Sequence, residues 1–275
     1  VRDEACVRFL QWSLPRLELR WAGFRKVRRQ VCKRIQRRWQ ALGLEGWEAY
    51  RRRLEQDAVE WHQLDQACRI TISRFYRDRG VFRGLAQSVL PALATRAAAA
   101  AEPALRIWSA GCGSGEEAYS IALLWHRDLA PRFPALVLQL LATDVDPVLL
   151  ERARIACYGS GSLKDLPGPW RDAAFTPTPY GHCLDPAYQT GIEFRQHDIR
   201  TPPPDGPHHL ILCRNLAFTY FAPAVQQRVA TMLHAVLTEN GVLVVGAHER
   251  LPDRSSGFVP WEDVPCTFRK AAKGR

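Results

Sequence analysis

The sequence has no run of about 18 or more apolar residues, the length a helix needs to cross a bilayer, so no transmembrane helix is expected. It does not open on a basic segment followed by an apolar core. Val1-Arg2-Asp3-Glu4 is charged, and no secretory signal is expected. Eight cysteines are present, but there is no CxxC and no close cysteine pair. Zinc sites draw their ligands from such pairs. The only neighbouring histidines, His208 and His209, are adjacent and point in different directions, so no metal site is expected. Cys112, Cys157 and Cys213 lie inside apolar runs and are expected as scattered buried thiols of a protein in a reducing cytoplasm. No internal repeat is present.

What the sequence does have is 275 residues, 47% hydrophobic and 24% charged, an ordinary globular composition. That length holds one large domain, or one domain and a smaller one. The net charge of +10 is unevenly placed: Arg16 to Arg53 carries thirteen Lys or Arg against three Glu. Such a face attracts nucleic acid, anionic lipid or an acidic protein surface, or is simply solvated. Arg34, Arg37 and Arg38 represent it.

The first 95 residues read as a helical domain. Trp21, Phe24, Val27, Val31, Ile35 and Trp39 recur at spacings of three and four, one face of a helix. A second helix is expected from Glu48 to about Cys68, and another near Leu85–Leu93. After Pro103 the rhythm changes. Strands are expected at Leu105–Ala110, Leu136–Thr143, Ile192–His197, Leu210–Cys213 and Val242–Gly246. Between them lie helices at Glu116–Ala130, Pro147–Cys157 and Pro223–Leu237, the last stopped by a C-cap at Asn240-Gly241. This alternation predicts an α/β domain over residues 104–275, a doubly wound, mostly parallel sheet with helices on both faces. Residues 159–191, rich in Gly and Pro, read as a loop or a small insertion with short strands.

Ser109-Ala-Gly-Cys-Gly-Ser-Gly-Glu116 follows the first strand and opens a helix. Its glycines let the backbone turn sharply and pass close to a ligand. Dinucleotide enzymes use the same device, with a helix N-terminus aimed at pyrophosphate. Here Glu116 and Glu117 stand at that N-terminus. A carboxylate there repels pyrophosphate but pairs with the amino group of a methionine moiety, which favours S-adenosylmethionine over NAD. Acidic residues also suit a helix N-terminus electrostatically. The second strand ends in Asp144-Val-Asp146. Asp144 is placed to hold a ribose, and Asp146, before Pro147, to cap the next helix.

At this point several segments in order resemble the chemotaxis receptor methyltransferases of the CheR type, over about residues 68 to 270. They are Thr71-Ile-Ser-Arg-Phe-Tyr-Arg-Asp78, Arg106-Ile-Trp-Ser-Ala-Gly-Cys-Gly-Ser-Gly-Glu-Glu-Ala-Tyr-Ser120, Ala142-Thr-Asp-Val-Asp146 with Ala153-Arg154 and Tyr158, and Cys213-Arg-Asn-Leu-Ala-Phe-Thr-Tyr-Phe221. The sequence departs from the family pattern at Thr71, Ser73 and Gly113-Ser114, and carries one extra residue before Tyr220.

The resemblance implies a Rossmann-like, class I methyltransferase fold, S-adenosylmethionine as cofactor and S-adenosylhomocysteine as product. It implies methylation of glutamate carboxylates on a protein. It places Ser73 and Arg77 over the cofactor, with Arg77 and Tyr220 as catalytic residues. Ala110 and Glu116 fall at the methionine end, Asp144 at the ribose, and Asp198 and Ile199 beside the adenine, with Gly111 and Gly113 also among the cofactor-binding positions. Arg214 and Asn215 fall at the mouth of the site, as further cofactor-binding positions. An acidic protein is the expected partner. A small molecule or RNA as acceptor, and an inactive cofactor-binding module, stay open as alternatives.

Overall fold

The computed structural model describes residues 2–252 and 257–271. Its strands are β1 (Ala104–Ala110), β2 (Val137–Asp144), β3 (Cys157–Tyr158), β4 (Phe175–Thr178), β5 (Gly181–Leu184), β6 (Ile192–Gln196), β7 (His208–Cys213), β8 (Leu237–Val245), β9 (Phe258–Pro260) and β10 (Thr267–Lys270). Seven of them form one sheet in the order β6-β2-β1-β7-β8-β10-β9. Pairing is parallel from β6 to β8, and β10 runs antiparallel to both β8 and β9. β7 is buried at every position and β1 at all but Arg106, the continuous burial expected of strands covered on both faces. The chain winds outward from β1 to β2 and β6, then returns to lay β7 on the other side of β1. The order therefore reverses between β1 and β7, where ligands bind in open α/β sheets.

By compactness the chain divides into a helical unit, residues 1–71 with 219–226, and a sheet unit, residues 72–218 with 227–275. The expected boundary between residues 95 and 104 thus falls inside the sheet unit. The helices Arg79–Gly84 and Leu90–Ala99 bury Val81, Phe82, Leu90, Leu93 and Ala97 in the same core as Leu105 and Ile107 of β1. The core of the helical unit contains Leu10, Leu14, Phe24, Val31, Ile35, Tyr50 and Leu64. Among the described residues no helix is long and apolar enough to cross a membrane.

Three local expectations are corrected. The single helix from Glu48 is two, Trp47–Gln56 and Glu60–Cys68. At the break the Asp57 carboxylate accepts from the Val59 N–H at 2.9 Å, a local bond that competes with helix continuation. The helix Pro223–Ala235 stops short, and Asn240-Gly241 is a turn inside β8 rather than its cap. His208 pairs with Leu237 but Leu210 pairs with Val242, so five steps along β8 face two along β7, and the turn takes up the excess. Finally, not all cysteines are free thiols. Cys6 is bonded to Cys32, and Cys157 to Cys183, which stand opposite each other on β3 and β5. Each pair is 26 residues apart and is made neighbours only by folding. Cys68, Cys112, Cys213 and Cys266 are free.

Residues 159–191 form a small insertion. β3, just before it, joins β5 and β4 in a separate three-stranded antiparallel sheet, and the short helices Ser160–Leu163 and Gly168–Ala174 lie between β3 and β4.

Candidate active site

In parallel register Ala110, the last residue of β1, lies beside Thr143 of β2, so the glycine loop and Asp144 leave the sheet together. The Thr143 carbonyl accepts from the N–H groups of Gly111 and Cys112, each at 2.8 Å. One Asp144 oxygen accepts from the Gly113 N–H and the other from the Asp146 N–H, both at 2.9 Å. Asp146 caps the helix Pro147–Ile155 through the Val148 N–H, as expected. Gly111 has φ +82°, and a Cβ there would stand 2.4 Å from Leu216 Cδ2; Gly115 has φ +89°, and a Cβ there would meet Ala153 Cβ at 2.9 Å. Both conformation and space require glycine at these turns.

The helix Glu116–Leu124 begins directly after the loop. Glu116 is only 3% exposed. Its Oε1 accepts from Ser162 Oγ at 3.4 Å, and its Oε2 is buried without a partner. Burial pushes its carboxyl above the ordinary carboxylate range, opposed in part by hydrogen bonds from the Glu116 backbone, Ser73 and Ser162. An unanswered carboxylate oxygen in a dry site is a place for a cation. The residues present therefore fit the ammonium of a methionine moiety.

Beyond β6, the His197 N–H donates to the Asp144 carbonyl at 3.0 Å and brings Asp198 and Ile199 beside the end of β2. Ile199 is buried, and the Asp198 carboxylate accepts from the Arg200 guanidinium and N–H. Ser73 and Arg77 lie on an irregular segment before the helix Arg79–Gly84. Phe75 is fully buried; its N–H donates to the Ser162 carbonyl at 3.0 Å, and its ring packs on Tyr158 and Phe175. The Tyr76 N–H donates to Ser120 Oγ at 2.9 Å. Arg74 pairs with Asp165, and the Arg79 guanidinium donates to the carbonyls of Lys164 and Asp165. Tyr76 and Asp78, on either side of Arg77, have φ of +56° and +64°. Such left-handed non-glycine residues cost about 1–3 kcal/mol each and persist only where the surroundings hold them. Partly exposed Arg77 donates to the Ile72 carbonyl.

Of the residues expected at the site, the sheet unit contains all but Tyr220. That residue falls in the helical unit, where its ring meets Phe24 edge-on at 5.2 Å and its carbonyl accepts from the Arg20 N–H. The Arg214 guanidinium, expected against the cofactor, is engaged by protein oxygens of Glu117, Arg77 and Asp78. The role of Glu117, and Glu249 altogether, escaped the sequence reading. Glu117 accepts from Ser109 Oγ at 2.7 Å as well as from Arg214. Glu249 accepts from the N–H groups of Asn215 and Gly246 at 2.7 and 2.6 Å and so fixes the turn after β7, where Asn215 has φ +56°. In sequence Glu117 stands beside Glu116 as a carboxylate at the helix N-terminus, but its partners are Ser109 and Arg214. Among the described residues no cluster of His, Cys, Asp or Glu is arranged to hold a metal ion.

In the helical unit, the helix Arg28–Ala41 exposes Arg29, Lys33 and Arg37, spaced by four along one face. Arg34 and Arg38 do not share that face. Arg34 donates to the Arg69 carbonyl, and Arg38 makes a two-pronged pair with Glu60 at 2.9 and 2.7 Å.

Comparison with known proteins decides the family. Residues 71–262 match the family described as CheR methyltransferase, SAM binding domain. The chain belongs to the CheR methyltransferase family. A chemotaxis protein methyltransferase of Listeria monocytogenes is 33% identical over 198 residues, which are 72% of this chain and 72% of that protein. The putative methyltransferase Cher3 of Pseudomonas putida is 30% identical over 234 residues, 81% of each chain. A 104.1 kDa protein of Rhodobacter capsulatus is 32% identical over 230 residues, 83% of this chain but 24% of that protein, so the chain spans about a quarter of it. This CheR methyltransferase is thus an S-adenosylmethionine-dependent enzyme, and its mostly parallel sheet is the Rossmann-like fold of that class.

Proposed function

We propose that the protein methylates a glutamate carboxylate on an acidic protein in the cytoplasm. The observation that carries this reading is the glycine loop opening onto a buried Glu116 with one unpartnered oxygen, in a chain of a methyltransferase family. Glu116 holds the amino group of the cofactor and Asp144 its ribose, while Asp198 and Ile199 flank the adenine. Bound S-adenosylmethionine supplies a methyl group carried on a positively charged sulfur, and S-adenosylhomocysteine is what remains. Arg77 holds the acceptor by charge-assisted hydrogen bonds, and Ser73 lies beside the loop at Gly113. A carboxylate is already ionised at neutral pH, so the chain need supply no strong base; it brings the acceptor close, aligns it and keeps water out. The name of the Listeria relative supports a protein acceptor, and the exposed stripe of Arg29, Lys33 and Arg37 supports an acidic one.

The test is transfer of a labelled methyl group in a lysate. Base-labile, volatile label in the protein fraction is the expected result. Label in RNA or in small molecules instead would move the acceptor to those classes. No label anywhere, with S-adenosylhomocysteine binding intact, would make the protein a cofactor-binding module.

A further inference from the structure

Arg214 closes β7 with a side chain only 3% exposed. Its Nη2 donates to the Arg77 carbonyl and to Asp78 Oδ2, both at 2.8 Å, and its Nη1 to Glu117 Oε2 at 3.0 Å. The guanidinium carbon lies 5.2 Å from the Phe82 ring centre, and Nε is buried without a partner. Both terminal nitrogens therefore face protein oxygens. One side of this fork is anchored on Glu117, itself held by Ser109 of β1; the other reaches the irregular segment that carries Arg77.

We propose that Arg214 is a positioning residue that fixes the peptide on the C-terminal side of Arg77 and so sets where the Arg77 guanidinium stands. The proposal rests on the reading of Arg77 as the group that holds the acceptor. Asp78 is left-handed and Tyr76 is left-handed, so the peptides on both sides of Arg77 depart from the favoured basins. The Ser120 hydroxyl secures the first of these residues and the Arg214 fork the second. Without the fork, Asp78 is free to relax to negative φ and carry the Arg77 peptide with it. The planar, two-pronged shape matters as much as the charge. A lysine ammonium is a point donor and does not reproduce bonds to three oxygens in a fixed plane.

Two variants test this, Arg214→Lys and Asp78→Gly, the second removing the carboxylate at a partly exposed position whose φ of +64° suits glycine. Amide hydrogen exchange is read on the cofactor-free proteins, and turnover and S-adenosylhomocysteine affinity are read beside it. Exchange should quicken in residues 73–82 and stay unchanged in the β1 and β2 segments. Turnover should fall about tenfold or more while affinity stays within about twofold, the pattern of an interaction that acts in the transition state. Unchanged exchange with normal turnover in both variants overturns the proposal. So does a loss confined to cofactor affinity, which would make Arg214 a cofactor contact. If the wild-type protein fails to bind S-adenosylhomocysteine, the reading of the site falls, and the exchange measurement still judges the positioning role. If Arg77→Ala turns over normally while exchange responds as expected, Arg214 fixes the segment and the acceptor-holding role of Arg77 falls.

Discussion

Glu60 in the helical unit and Glu116 in the sheet unit are buried to the same extent, each 3% exposed, yet their acidities move in opposite directions. Glu60 receives the Arg38 fork and the Tyr50 hydroxyl at 2.7 Å, and the Arg38 hydrogen bond holds its carboxyl below the ordinary range. Glu116 is raised by desolvation, opposed only by a backbone hydrogen bond, two serine hydroxyls and the weaker, non-bonded charge of Arg152. Burial alone says little about a carboxylate. What decides its role is whether the protein answers the charge. An answered charge is structure, and an unanswered one next to a glycine loop is a place for a cationic ligand.

The largest effect should come from disturbing the answered charge. Arg38→Met leaves the buried Glu60 with only Tyr50; because Arg38 itself is 36% exposed, the loss should be about 2–3 kcal/mol, the cost of an under-satisfied buried carboxylate rather than of a fully buried pair. Urea unfolding should show that loss, and Arg38→Met with Glu60→Leu should recover most of it. A loss under about 1 kcal/mol would mean that the pair behaves like a surface ion pair.

Glu116→Gln should do the reverse. Affinity for S-adenosylhomocysteine should fall by about 1–3 kcal/mol, the cost of losing a charge-assisted hydrogen bond. The cofactor-free protein should be no less stable, because the variant removes an unpaired buried charge. Calorimetry and thermal unfolding on the same samples check both, and a variant that binds normally removes Glu116 from the site.

The two carboxylates also predict opposite pH responses. The Glu60 carboxyl is lowered on folding, so its contribution is present above its unfolded pKa and is lost as pH falls through the folded value. The Glu116 carboxyl is raised, so the cofactor-free protein binds the extra proton in the folded state and loses stability as pH rises through the window between the two values. An ammonium beside Glu116 favours its ionised form. Binding below the raised pKa should therefore release a proton, and affinity should weaken as pH falls through it. Titrations in buffers of different ionisation enthalpy read that proton directly; identical heats in every buffer would contradict the assignment.

The smallest effect per residue is expected at the exposed basic stripe. Arg29→Glu, Lys33→Glu and Arg37→Glu together should raise the apparent KM for an acidic protein acceptor and leave cofactor affinity unchanged. Exposed pairs contribute about 1 kcal/mol or less each and are screened by salt. The difference from wild type should therefore shrink as salt is raised. An unchanged KM at every salt concentration would leave the stripe as solvated surface.

Contrasts of this kind mark the limit of what the sequence makes legible. Short-range patterns are visible: the strand periodicity, the glycine loop, Asp144 at the end of β2 and Asp146 as a cap all depend on neighbours a few residues away. The partner of a buried charge is not. Arg38 and Glu60 are 22 residues apart, and Arg214 reaches Glu117 across 97 and Asp78 across 136. Arg34, Arg37 and Arg38 look alike in sequence, but Arg34 is tied to the Arg69 carbonyl and Arg38 to Glu60 while Arg37 is exposed. The Asn240-Gly241 turn carries the local signature of a helix cap, and only the offset between β7 and β8 reveals it as a turn within a strand.

Residues 159–191, in sequence a loop or a small insertion, invite treatment as a cassette to be replaced whole. The contacts at Ser162 say otherwise. This one serine gives its carbonyl to Phe75 and its hydroxyl to Glu116, while the neighbouring carbonyls of Lys164 and Asp165 take Arg79. A graft that replaces this stretch would alter both the buried carboxylate and the strand of chain bearing Arg77, even if its own small sheet formed well. Transplants should therefore be cut after Asp165, leaving the first helix of the insertion with the host and moving the helix Gly168–Ala174 with the hairpin of β4 and β5, whose Cys183 must still meet Cys157 of the host.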